Sequence, residues 1–79
     1  METCVALMGI IVENYSSVDA LNDILHENRD IIIGRLGIPH KEKNLSVMSI
    51  VVDTDLAHVD KMMAEIGKLD GVKVNVIIS

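Results

Sequence analysis

Apolar residues recur along this chain at two different periods, and the alternation between them restricts the possible folds to a few. Val18, Leu21, Ile24 and Leu25 step by three and four residues, one stripe of a helix, with Asn22, Asp23, His26 and Glu27 on the other side. Leu56, Val59, Met62, Met63, Ile66 and Leu69 form a second such stripe. Between and around the stripes lie short runs rich in β-branched residues, at 4–13, 31–38, 45–52 and 72–78, which read as strands. Local signals agree. Ser16 or Ser17 can cap the first helix with Asp19 in its first turn, and Asn28-Arg29 marks its end. Asp53, Thr54 and Asp55 offer caps for the second, and Gly71 stands at its stop position. Pro39 ends the second strand or places it on an edge, and 40–44 form a polar hairpin tip.

The order is therefore β-α-β-β-α-β, with two strand–helix–strand crossovers of right-handed sense. This predicts a single α+β domain over residues 1–79, a ferredoxin-like sandwich with a four-stranded antiparallel sheet and both helices on one face. The first strand is apolar at odd and even positions alike, which predicts a central strand covered on both faces. The third strand is mostly apolar on both faces, with Leu45, Val47 and Val51 on one and Met48, Ile50 and Val52 on the other. Two helices cover only one face, so the other is expected to meet a second copy. Size argues likewise. A 79-residue domain buries only about 60% of the surface its unfolded chain exposes. The chain has one cysteine and so no disulfide, while 49% of its residues are apolar. Self-association as a homodimer or homotetramer is the expected remedy.

Charge and composition exclude several functions. The net charge is −5 and Tyr15 is the only aromatic residue, so neither a phosphate-backbone footprint nor a base-stacking platform exists and no direct nucleic-acid binding is expected. The longest apolar run, residues 5–12, falls far short of the roughly 20 residues that span a bilayer, so no membrane association is expected. Met1-Glu2-Thr3 carries no basic region of a secretory signal, and a cytoplasmic location is expected.

The ionisable residues form no familiar catalytic set. There is no nucleophile elbow, phosphate loop or dinucleotide fingerprint, and the chain is read as a non-enzyme with no assignable cofactor and no metal site. Cys4, His26, His40 and His58 match no metal-binding spacing. The histidines are expected at the surface, and Cys4 as a small buried residue of the first strand. Met62 and Met63 are adjacent on one helix and cannot face the core equally. The segment 33–39, Ile-Gly-Arg-Leu-Gly-Ile-Pro, is the most distinctive. It reads either as a bulged edge strand or as backbone brought close to a neighbouring subunit or ligand, with Arg35 as a fork for a carboxylate or phosphate.

The element order, the stretch 31–39 (Ile-Ile-Ile-Gly-Arg-Leu-Gly-Ile-Pro) followed by the apolar strand 45–52, and Asp70-Gly71-Val72 before the last strand together resemble a small family of regulators of the iron-only hydrogenase system. The resemblance covers nearly the whole chain. It implies an ACT-like stand-alone domain, similar also to the ligand-binding half of nickel-responsive repressors, that works as an oligomer. In ACT domains amino acids bind at subunit interfaces near the turn after the first strand. That turn reads Glu13-Asn14-Tyr15-Ser16-Ser17 here, without the glycine such domains often carry. The nickel-repressor ligand set and DNA-binding arm are also absent from the sequence. The resemblance implies a non-catalytic regulatory domain that senses a small ligand or binds a protein partner at subunit interfaces, with Glu13, Asn14, Tyr15, Ser16 and, across the interface, Arg35 as ligand-binding candidates. Two alternatives stay open: a metal sensor or carrier using Cys and His ligands from more than one subunit, and a purely structural interaction module.

Overall fold

A computed structural model describes residues 2–79 of the chain. Its elements follow the expected order: β1 (Cys4–Val12), α1 (Val18–Glu27), β2 (Ile32–His40), β3 (Leu45–Thr54), α2 (Leu56–Gly67) and β4 (Val72–Ile78), with short 3-10 turns at Tyr15–Ser17, Arg29–Ile31 and Lys41–Lys43. The strands form one antiparallel sheet in the order β2-β3-β1-β4.

The period-two pattern of β1 decides the core. Ala6, Met8, Ile10 and Val12 point to the helix side and are buried. Their partners across the ladders, Val52 and Ile50 on β3 and Val72 on β4, are buried with them. Leu21 and Leu25 of α1 and Val59, Met62 and Ile66 of α2 close this layer. Met63 is only partly buried, as its adjacency to Met62 requires. Burying a Leu, Ile or Met side chain fully contributes about 1.5–3 kcal/mol, so these positions dominate the fold's stability.

Two of the expected helix caps form as read, and one bonds elsewhere. Asp55 caps α2, its Oδ1 accepting from the His58 backbone N–H at 2.8 Å. Ser17 stands at the N-cap of α1 but makes no cap bond, because its hydroxyl donates instead to the Asp70 carbonyl at 2.6 Å. Asn28 ends α1 by donating its Nδ2 to the Ile24 carbonyl at 2.7 Å. Its Oδ1 lies 2.6 Å from His58 Nε2, so His58 is half-buried and ties α2 to the end of α1. It is not the solvated surface histidine its sequence position suggested. Cys4 is likewise half-buried, with its Sγ 3.5 Å from the Thr54 carbonyl.

The strand β2 stands apart. It pairs only with β3, and all but Ile32 of its residues are exposed. A bulge between Ile32 and Gly34 inserts Ile33, and Pro39 sits inside the strand opposite Ser46. An edge strand tolerates that proline because its outward side has no ladder to complete. On its helix-facing side β2 leaves clefts against α1, with Arg35 and Gly37 among the lining residues.

Candidate functional site

The β1–α1 turn is built from side chains that hydrogen-bond their own backbone. Asn14 Oδ1 accepts from the Ser16 N–H at 3.0 Å and from the Ser16 hydroxyl at 2.8 Å. Asn14 Nδ2 donates to Asp70 Oδ2 at 2.7 Å. The Glu13 N–H donates to the Gly71 carbonyl at 2.7 Å, and the Glu13 carboxylate pairs with Lys73 at 2.8 Å. The hydrogen bond from Lys73 to Glu13, and then the charge of Glu13, hold the Lys73 ammonium above its ordinary range. Tyr15 is 44% exposed, and its hydroxyl reaches the Leu45 carbonyl only at 3.5 Å.

Gly71 is the residue this knot cannot replace. Its φ is +68°, and a Cβ there would lie 2.6 Å from Asn14 Cβ and 3.0 Å from the Asn14 backbone nitrogen. The antiparallel β1–β4 pairing brings residues 13–14 and 70–71 to one end of the sheet. Asp70, Gly71 and Lys73 thus lie beside the four turn residues, although the sequence reading placed Gly71 at a helix stop and Lys73 in the last strand and named none of them as a site residue. The signal was present, since a central β1 and a last strand beside it place those two turns together.

Arg35 is elsewhere. It pairs with Ile50, which pairs in turn with Met8, so it faces the helix side of the sheet and lines a cleft against α1. Measured along the strands, Asn14 lies six residues past Met8, about 20 Å away. One chain brings Glu13, Asn14, Tyr15 and Ser16 together and leaves Arg35 apart. Cys4, His26, His40 and His58 are also dispersed, and no group of three or more potential metal-ligating side chains forms among the described residues.

The second exposed feature is the helix-free face of the sheet. The ladder register arranges the middle of this face in three rows. Ile38, Val47, Ile11 and Lys73 form one, and Gly34, Val51, Leu7 and Ile77 another. Between them runs a low row of Leu36, Ser49, Gly9 and Asn75. Leu7, Ile11 and Val47 are each about 40% exposed although they lie on the two central strands. A Cβ at Gly9 would meet nothing within 4 Å, so nothing in the chain itself requires glycine there.

A family model described as "TM1266-like: Iron-only hydrogenase system regulator, putative" matches residues 4–76. The chain belongs to the TM1266-like family. Its fold agrees with that of the uncharacterized protein TM1266 from Thermotoga maritima, with a TM-score of 0.93 at 24% identity over 98% of both chains. A looser match, TM-score 0.48 at 16% identity over 100% of this chain and 99% of the other, is CPII, a nitrogen regulatory PII-like protein from Thiomonas intermedia K12 bound to ADP, AMP and bicarbonate. That overlap is too loose to bear on function. No curated protein matches the chain. The family found is the one that segments 31–39 and 45–52 resembled. No helix of this TM1266-like chain, among the described residues, is long and apolar enough to cross a membrane.

Proposed function

We propose that this chain is a non-catalytic, homo-oligomeric regulatory domain of the iron-only hydrogenase system, in which a second copy covers the helix-free face of the sheet. The observation that carries the reading is the pair of apolar rows on that face, exposed on the central strands where a single sheet layer has nothing to cover them. Stacked sheets pack about 10 Å apart, and a low row such as Gly9, Ser49 and Asn75 lets flanking side chains of a partner interdigitate. Four strands about 4.8 Å apart, over seven residues of about 3.3 Å, present roughly 450 Å² in projection. Stable interfaces bury about 800 Å² of accessible surface per partner, and a side-chain face exposes more than its flat projection, so an interface of ordinary size or less, with population set by concentration, is expected. Regulation follows if a bound molecule or partner protein favours one assembly over another. The family membership supports the regulatory role.

Sedimentation velocity over a dilution series tests the assembly. The wild type is expected to dissociate on dilution, and Val47→Glu, on the exposed face, is expected to be monomeric with an unchanged far-UV spectrum. A wild type that remains monomeric at hundreds of micromolar overturns the proposed assembly. The regulatory half has its own test: deleting the coding sequence should change iron-only hydrogenase transcript or activity, and unchanged levels of both refute it.

A further inference from the structure

The face of β2 that looks toward α1 borders two adjoining clefts that share Asn22. One, of about 440 Å³, is lined by Asn22, Asp23, His26, Arg29 and Arg35. Arg29 and Arg35 are the only arginines in a chain of net charge −5, and both lie here. Arg29 Nη1 donates to the His26 carbonyl at 3.0 Å, which fixes its guanidinium at the end of α1 and leaves its remaining donors free. No ion pair holds Arg35 among the described residues. Asp23 on the same wall offsets only one of the two arginine charges. The other cleft, of about 250 Å³, is apolar, with Leu21, Ile38, Pro39 and Met48 in its walls. Its floor is opened by Gly37, where a Cβ would stand 4.0 Å from Met48 Cγ. A side chain at Gly37 would therefore fit the strand and project into the space.

We infer that this groove is a binding site for a small amphiphilic anion, whose single oxyanion head is held by Arg35 and Arg29 and whose apolar body lies along Gly37 and Met48. Arginine forks match planar oxyanions and lose little freedom on binding them. The apolar half supplies the larger share of affinity through area removed from water. From Arg35 to Pro39 the strand runs about 13 Å, comparable with a medium-chain carboxylic acid. The site lies on the opposite side of the sheet from the proposed subunit contact and does not rest on it. It gives the regulatory reading a ligand class.

Isothermal titration with sodium octanoate, with 1-octanol as the same body without charge and acetate as the same head without a body, tests the assignment. Octanoate is expected to bind one per chain, at least tenfold more tightly than either control. Arg35→Gln and Gly37→Val should each weaken it tenfold or more, with melting temperatures within a few degrees of wild type, since neither change removes a structural contact. A Val47→Glu variant should bind as the wild type does. Octanoate affinity unchanged in Arg35→Gln or in Gly37→Val, or octanol bound as tightly as octanoate, overturns the assignment. Affinity lost only in Val47→Glu also overturns it, because binding would then belong to the sheet face.

Discussion

Replacing Gly71 by alanine tests whether the end of the sheet is locked as described. At φ +68° a side chain already costs about 1 kcal/mol. The new Cβ would stand 2.6 Å from Asn14 Cβ and 3.0 Å from its backbone nitrogen, against an ordinary separation of about 3.5–4.0 Å. Backbone yields less readily than a side-chain tip, so the whole Glu13–Ser17 turn must retreat by about 1 Å. That movement weakens the bond from the Glu13 N–H to the Gly71 carbonyl and the bond from Asn14 to Asp70, at about 1 kcal/mol each. The lower entropy of the unfolded alanine chain offsets about 0.5 kcal/mol. The net loss is about 2–3 kcal/mol, and in a domain of this size it lowers the melting temperature by about 10–20 °C. The assay is thermal unfolding followed by far-UV circular dichroism at one fixed protein concentration. Gly67→Ala is the control. There a Cβ meets Val74 Cγ1 at an ordinary 3.9 Å inside α2, and alanine should stabilise by up to about 1 kcal/mol. A Gly71→Ala variant melting within 3 °C of wild type would refute the locked turn.

Gly9→Ala separates the single chain from its assembly. The methyl group meets nothing within the chain, so the monomer at high dilution should melt a few degrees higher, while sedimentation should show weaker association. Asp55→Ala removes the cap on α2 and should cost about 1 kcal/mol in urea unfolding with an unchanged slope against denaturant. The Glu13–Lys73 pair raises the Lys73 pKa in the folded state, so its contribution is complete below the ordinary value of 10.5 and disappears as pH rises through the folded value. Because Lys73 is solvated, melting temperatures of wild type and Lys73→Met should differ little at pH 7 in 0.5 M salt, and any difference at low salt should fade as pH rises through the folded-state value of Lys73.

The element order, the central place of β1 and the composition of the core were legible because each depends on local periodicity and on a two-layer packing rule. The contacts that organise the ends were not, because they join residues far apart in sequence. Ser17 reads as a helix cap, yet the Asp70 carbonyl, brought near by the β1–β4 ladder, takes its hydroxyl. His58 lies on a helix start that looks solvated, until the end of α1 presents Asn28 to it. Arg35 is the clearest case. Side-chain alternation assigns faces along a regular strand, but the bulge at Ile33 resets that alternation, and the argument from glycines to a subunit contact could not tell which face Arg35 would take. The family resemblance rested on segments 31–39 and 45–52, whose apolar pattern is dictated by the sheet and survives where individual contacts differ.

The strand order has a further consequence for biosynthesis. β1 is made first but lies between β3 and β4, so its ladder is complete only when the last strand emerges, with Ala6 pairing Ile78 and Val12 pairing Val72. Until then a nascent chain presents one unpaired edge of β1 and an incompletely covered core. Closing such long loops is slow, and the waiting edge accepts any β4 that arrives. On a crowded polysome the nearest β4 can belong to the neighbouring chain, and strand exchange at that edge is the expected origin of any intertwined dimer recovered after rapid overexpression.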